Sequence, residues 1–372
     1  MVLTVWKYVP EEQWFVQDKV VDTASSVIWC ERYQKPGEFE LQMRATPELL
    51  RYFTENEVLL TRTDTDRVML PERMVLKTSA ESGDTLTISG KSGEGIPGRR
   101  IITQDTTMHR HPNGAALLYY LMQENIASYW YYHTDARHPG SEQFRYMPFF
   151  VVGNVVELPD DVDIRAQPFG ENLGTFTETV CSACDIGFRV RFDGGTMFYE
   201  FYRGEDRSGT VIFSSDFQNL GDTEYSFDRR TYFNRAMIAT EGEGKDRVKI
   251  QQTLHDSARA EGFTLREFYM DDPQISSNTL DESGNPIDGV MYSILLAKMA
   301  ITELRARKEE IRFDGEILPN GQFRYRRDYF LGDTVSVRNA YGIRGKAVVT
   351  EVTEVEDESG FRVIPKFSEW VV

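Results

Sequence analysis

The sequence predicts a mainly β, α+β protein in which strand-rich regions at both ends of the chain flank a mixed segment. Three observations carry this expectation. Short runs with period-two alternation, separated by turn residues, dominate from Thr4 to about Ile102 and return from Asn234. Only two long stretches, 114–132 and 290–311, place apolar residues at helical spacing. Finally, 372 residues exceed one ordinary core and fit two or three, since domains run ~100–200 residues.

The elements follow in order. Val16 to Trp29 holds β-branched runs broken at Asp22 and at Ala24-Ser25-Ser26, and Phe39 to Met43 alternates with period two. Pro47 to Phe53 reads as a short helix, with proline in the first turn and Leu49, Leu50 and Phe53 at helical spacing. Val58 to Thr63, Val68 to Thr78 and Thr85 to Ser89 continue the strands, with Glu81-Ser82-Gly83-Asp84 as a hairpin turn. Such a set of short strands suggests a small barrel or sandwich.

A helix is expected over Gly114 to Tyr132, where Leu117, Leu118, Leu121, Met122, Ile126 and Tyr129 share a face; His138-Pro139-Gly140 then breaks the chain. Residues 141–228 read as loop-rich with short strands, notably a hairpin of Ile186–Phe192 and Thr196–Tyr202 turning on Asp193-Gly194-Gly195. Strands recur at Asn234–Ala239, Arg247–Gln252 and Leu265–Tyr269, with a turn at Gly242 to Lys245. A second long helix is expected over Val290 to Ile311, with Ile294, Leu295, Met299, Ile301 and Leu304 apolar and Glu303, Arg305, Arg307, Lys308, Glu309 and Glu310 wet. Thr334–Arg338, Gly345–Val355 and Arg362–Phe367 close the chain, the last hairpin turning on Asp357 to Gly360. No repeat of 20–50 residues appears, which sets aside solenoids and propellers.

Composition narrows function. The chain carries 42 basic against 59 acidic side chains, a formal charge of −17, and such a surface repels phosphates, so no sequence-specific nucleic-acid binding is expected. The basic stretches Arg99-Arg100 and Arg324–Arg327 read as solvated faces. Three cysteines make no complete disulfide framework, and no basic-then-apolar signal segment opens the chain, which points to a reducing cytoplasm. Apolar runs such as Met147–Val152 and Ile294–Ile301 fall short of the ~20 residues that span a bilayer, so no membrane insertion is expected.

Each chemical motif meets a simpler explanation. Gly93-Glu94-Gly95-Ile96-Pro97-Gly98 satisfies G-x-G-x-x-G, but a dinucleotide site needs a helix to follow, and Pro97 and the strand-like Arg99 to Ile102 follow instead. Gly90-Lys91-Ser92 lacks the earlier glycine of a phosphate loop. Cys181-Ser182-Ala183-Cys184 has no second ligand pair for zinc, and it leads into a strand rather than opening the helix a redox dithiol needs. His109 and His111 stand only two apart on an expected loop. Acid pairs at Asp64 and Asp66, Asp160, Asp161 and Asp163, Glu241 and Glu243, and Asp271-Asp272 are expected by chance among 59 acids. The Tyr129-Trp130-Tyr131-Tyr132 cluster fits core packing first and an interface or sugar platform second. No catalytic, cofactor-binding or metal-ligating residue is assigned.

Taken in order, the segments resemble a known family. ERYQKPGEFEL at 31–41 resembles the N-terminal barrel of the baseplate hub, or tail-tip hub, proteins of long-tailed phages infecting Gram-positive bacteria. LTISGKSGEGIPGRRII at 86–102, followed by a helix ending in Glu124-Asn125, is similar to that family's exit from the barrel. IGFRVRFDGGTMFYEFYRGEDRS at 186–208 and VIFSSDFQNL at 211–220 resemble its middle domain. FNRAMIATEGEGKDR at 233–247 and LREFYMDD at 265–272 resemble the approach to a second barrel, and YFLGDTVSVRNAYGI at 329–343 and EVTEVEDESGFRVIPKF at 351–367 its close.

The resemblance implies two small antiparallel β-barrels: residues 1–103, and residues 231–372 with a helical insertion at about 288–311, with an inserted mixed α/β domain at 104–230 between them. It further implies a non-enzymatic homotrimer, a six-barrel ring of pseudo-sixfold symmetry around the DNA channel that adapts the tail tube to the tip. The implied partners are the distal tail protein, the tape measure protein and tip, fibre or lytic proteins of the same tail, and the implied location is the virion tail tip, reached from the host cytoplasm. Because the sequence stops at Ser368 to Val372, just after the last barrel strand, a lytic module is expected on another chain. The alternative is a carbohydrate-binding or wall-degrading tip protein using the tyrosine cluster and the acid pairs.

Overall fold

The computed structural model describes residues 1–79, 83–103, 108–111, 114–127, 145–153, 156, 164–166, 168–217, 219–239, 249–253, 261–271, 289–317, 322–338, 341–342 and 344–368. The chain is mostly β, and it divides into two compact units, Met1–Glu224 with Phe313–Val372, and Tyr225–Arg312.

The first hundred residues form β1 (Leu3–Val9), β2 (Trp14–Val21), β3 (Ala24–Arg32), β4 (Glu38–Arg44), helix α1 (Pro47–Glu55), β5 (Val58–Arg62), β6 (Val68–Lys77) and β7 (Thr85–Ser92). The strands pair in the order β3-β4-β7-β6-β5-β1-β2. The period-two pattern decides which face is inside: Phe39, Leu41 and Met43 of β4 are buried, while Glu38, Glu40 and Arg44 are exposed. Inward residues from all seven strands, among them Leu3, Val21, Trp29, Leu41, Leu60, Met69 and Ile88, share one core. The sheet therefore wraps around its own apolar face.

Helix α1 lies against that core through Leu49, Leu50 and Phe53, and it starts where Thr46 Oγ1 accepts the Leu49 N–H at 3.2 Å. One boundary differs from the sequence reading. Ala24-Ser25-Ser26 belongs to β3, so only Asp22 and Thr23 interrupt the strands.

A second layer follows a 3₁₀ segment at Gly93–Arg99. It comprises β8 (Met108–His111), α2 (Gly114–Met122) continued by a wider helical turn at Gln123–Ala127, β9 (Phe150–Val152), β10 (Ile164–Ala166), α3 (Leu173–Cys184), β11 (Gly187–Asp193) and β12 (Thr196–Tyr202). Leu117, Leu118, Leu121, Met122 and Ile126 are fully buried, as the helical periodicity requires. Helix α3 occupies a stretch the sequence reading takes as loop-rich. Its threonines and serine are weak helix formers, but Asn172 Oδ1 caps the Thr175 N–H at 3.1 Å, Thr177 Oγ1 donates to the Leu173 carbonyl at 2.7 Å, and a left-handed Asp185 ends it.

The β11–β12 hairpin turns on two residues, Gly194 at φ 55° and Gly195 at φ 98°, with Asp193 paired to Thr196. A Cβ at Gly195 would stand 2.2 Å from Trp14 Nε1, so the glycine lets this hairpin press onto the β1–β2 hairpin. The layer's core is continuous with the outer face of the first sheet through Phe15, Leu59, Val68 and Leu70.

The remaining strands are β13 (Ile212–Ser214), β14 (Leu220–Asp228), β15 (Arg235–Ala239), β16 (Lys249–Thr253), β17 (Glu267–Asp271), then α4 (Gly289–Ala306), β18 (Glu310–Ile317), β19 (Thr334–Arg338), β20 (Arg344–Asp357) and β21 (Gly360–Phe367). Strand β20 does three things: Arg344–Val348 pair with β19, the stretch from Val349 pairs with β21, and Glu351–Glu356 pair with Arg32–Val27 of β3. The last pairing joins the N- and C-terminal strands into one sheet. Around Phe213, whose ring lies 5.2 Å from Tyr329 and 5.5 Å from Phe367, the buried Val335, Val337, Ala347 and Val349 gather.

In the second unit β15 is central, antiparallel to β16 and parallel to β17. Helix α4 packs Tyr292, Leu296, Ala300 and Leu304 on Ala236 and Ile238. The helix ends at Ala306, short of the expected Ile311. Arg307 turns the chain there: its carbonyl accepts the Phe233 N–H at 3.1 Å and its guanidinium sits 3.9 Å over the Phe268 ring.

Candidate functional site

The polar centre of the first unit lies where β3 ends, and three distant parts of the chain meet there. Val27 and Trp29 point into the wrapped core, and the next inward position is Glu31. This buried carboxylate accepts from Trp29 Nε1 at 3.0 Å, Tyr325 Oη at 2.9 Å and Arg326 Nη2 at 2.6 Å, and Arg67 Nε stands 3.6 Å away. Arg326 also reaches Glu354 on β20 at 2.8 Å, and Glu354 takes Arg62 Nη1 of β5 at 2.6 Å. Arg62 bonds Asp64 as well, and its side chain is 1% exposed. Arg326 has a left-handed backbone, φ 63°, a strain tolerated because both carboxylates fix its side chain.

The electrostatics follow from burial opposed by pairing. Burial raises the Glu31 pKa, but the charges of Arg326 and Arg67 and hydrogen bonds from Arg326 and Tyr325 outweigh it and bring it down to about 2. Burial likewise opposes the charge of Arg326, which Glu31 and Glu354 hold firmly protonated. Glu94 goes the other way. Burial raises its pKa despite Arg67, Ser92 and the Val190 N–H, which lies 2.6 Å from its Oε1.

Next to this network, Tyr33 fills a slot made by glycines. A Cβ at Gly187 would come 2.1 Å from the Tyr33 ring, and one at Gly332, where φ is 87°, 2.4 Å from it. A Cβ at Gly204 would meet the Gly332 carbonyl at 1.9 Å. The adjoining Asp333 is buried and accepts from Arg207 Nε at 2.7 Å, the Glu205 N–H at 2.8 Å and the Phe330 N–H at 2.9 Å. The Gly332-Asp333 turn thus ties β12, the segment after it and β19 together. Chemically the junction is a set of paired charges, in which Arg326 Nε and Tyr202 Oη are buried without a hydrogen-bond partner, around a cavity of about 10 Å3, too small for an organic substrate.

The motifs of the sequence serve packing. Gly93–Gly98 lies in the 3₁₀ segment, with Glu94 turned inward and Gly98 in close backbone approach to Gly174 of α3. Cys181 and Cys184 are buried at the C-terminal end of α3, where burial raises both thiols. Among the described residues no His, Cys, Asp and Glu group is arranged to hold a metal. Asp64 is an ion-pair partner of Arg62, and Asp271 is exposed on β17. Tyr129–Tyr132, Asp160, Asp161, Asp163, Glu241, Glu243 and Asp272 lie outside the described residues.

The basic run at 324–327 requires a correction: Arg324 and Arg327 face solvent, but Arg326 is the hub of the buried network. Among the described residues no helix is long and apolar enough to cross a membrane. The described residues of each unit line an open surface cleft. One, of about 960 Å3, is lined by Gln42, Arg44, Asp84, Asp357 and Glu358, and the other, of about 720 Å3, by Phe227, Arg229, Arg230, Arg266 and Glu310.

A family model described as Siphovirus ReqiPepy6 Gp37-like protein matches residues 5–367. The chain belongs to this siphovirus tail protein family. Solved structures agree at the level of the fold. A 43 kDa tail protein of prophage MuSo2 from Shewanella oneidensis is 11% identical, with a TM-score of 0.59 over 99% of this chain and 98% of that one. A tail protein from Neisseria meningitidis MC58 gives 11% identity and 0.56 over 99% and 96%. Prophage tail protein gp18 from Listeria monocytogenes EGD-e gives 10% identity and 0.50 over 98% and 94%. No curated protein matches the sequence. The chain is thus a phage tail protein, which places it in the tail of the virion.

Proposed function

We propose that this tail protein is the structural, non-enzymatic hub of the tail tip. In this reading residues 1–103 form the first barrel, residues 231–372 supply the second, and residues 104–230 are inserted between them. Three copies form a ring around the DNA path, two β lobes per chain giving six similar positions, so that a sixfold tube meets a threefold tip. The distal tail protein, the tape measure protein and tip, fibre or lytic proteins flank it, and it is made in the host cytoplasm.

The observation that supports this most is the β3–β20 pairing, clamped by Glu31, Arg326, Glu354 and Arg62. It fastens N-terminal and C-terminal strands of one chain into a single sheet, as a load-carrying adaptor requires, while the buried polar centre offers no room for a substrate. The net charge of −17 suits a wall past which DNA must slide without sticking. The test is gold labelling of intact tails with antibody against this chain. Label confined to the tip supports the assignment, and label along the shaft or at the head-proximal end rejects it.

A further inference from the structure

The junction contains a polar cavity that a ring-forming role does not require. It has a volume of about 10 Å3, space for the centre of one water-sized sphere, and its lining includes Glu31, Arg67, Ser92, Glu94, Tyr202 and Leu331. One group around it lacks a partner, and a second has only long contacts. Tyr202 Oη is buried without a hydrogen-bond partner, although the ring itself is held edge-on by Tyr33 at 5.4 Å and lies under the Arg189 guanidinium at 4.9 Å. Arg67, with a side chain 13% exposed, reaches the Val190 carbonyl only at 3.5 Å and Glu31 Oε2 only at 3.6 Å. A guanidinium has five N–H groups to satisfy, so Arg67 keeps donors for a further acceptor beside these long direct contacts.

We propose that this cavity is a binding site for one ordered water molecule. The water accepts from Arg67 and from the Tyr202 hydroxyl and donates to the carboxylates of Glu31 and Glu94, a complement of partners within the two to four typical of buried waters. Arg67 precedes β6, Glu31 lies on β3, Glu94 belongs to the segment after β7, and Tyr202 ends β12. The water thus cross-links the first sheet and the inserted layer at the point where they meet.

Two measurements on the full chain decide it. A crystal structure of the wild-type protein at high resolution has a density peak about 3 Å from both Tyr202 Oη and the Arg67 guanidinium. Tyr202→Phe, which removes only the hydroxyl, lowers the thermal midpoint by roughly 1–4 °C, because a hydrogen bond to bound water is lost. A cavity empty of density overturns the proposal whatever the variant does. Density together with an unchanged or raised midpoint in Tyr202→Phe also overturns it, since removing an unpartnered buried hydroxyl relieves a cost.

Discussion

Replacing Glu31 by Gln removes one charge from the centre of the buried network while keeping the shape of the side chain. Glu31 is 5% exposed, so its interactions are little screened by solvent. Its pKa falls from 4.5 to about 2, a differential of roughly 3 kcal/mol at ~1.4 kcal/mol per pKa unit. That lies at the lower end of the ~3–5 kcal/mol cost of leaving a buried charge without its partner, since Arg326 keeps Glu354 at 2.8 Å while Arg67 loses its nearer carboxylate. Glutamine retains an oxygen for Tyr325 or Trp29 but no charge for the arginines.

The sign with pH follows from the depressed pKa. The stabilisation is fully present above the unfolded value near 4.5 and is lost as pH falls through about 2. Urea unfolding followed by tryptophan fluorescence, with Trp29 donating directly to Glu31, is the assay. At pH 7 the Gln variant is expected to lose about 3 kcal/mol, and its deficit shrinks as pH drops from 4.5 toward 2. A loss under about 0.5 kcal/mol at pH 7, or a deficit independent of pH in that window, would refute the idea that the network is a net clamp.

Glu94 is expected to behave oppositely: its pKa is raised by burial, so its contribution is full below the unfolded value and is lost as pH rises through the folded one. Glu94→Gln, which keeps an acceptor for the Val190 N–H, should be at least as stable as wild type at pH 7 and should flatten the fall in stability as pH rises above the unfolded value of 4.5 in thermal scans. Cys181 and Cys184, buried with raised pKa values, should resist an aromatic disulfide reagent at pH 8 in the native protein and react promptly in urea. Fast native labelling of either would mean that α3 opens readily.

Local pattern made most of the first sheet legible. Phe39-Glu40-Leu41-Gln42-Met43 alternates because one face of β4 is core and the other solvent, and Pro47 marks α1 because a first-turn proline leaves no bond unmade. The hairpin at Asp193-Gly194-Gly195-Thr196 was equally clear, since only glycines take both positive φ values cheaply. Helix α3 was hidden by its threonines, whose low propensity is overridden by a cap at Asn172 and by burial of Leu173, Phe176 and Val180. The long α4 helix was extended too far because Arg305 to Glu310 suits a wet helical face, whereas strand pairing claims Glu310 onward.

The polar centre was the least legible part. Val27-x-Trp29-x-Glu31 does place a charge at an inward position, a signal of a buried pair, but Arg326 lies 295 residues away and Glu354 is one of many acids in a period-two strand. No local rule joins them. The two β-rich ends could be read separately, while the fact that β20 pairs with β3 is tertiary information.

The central claim is a threefold hub at the tail tip, and a cryo-EM reconstruction of the assembled tail tests it most directly. Three copies of this chain forming a closed ring around an open or plugged axial channel, with two β lobes from each copy facing the sixfold tube, is the predicted result. Six copies, a single copy, or a position off the tail axis would contradict it.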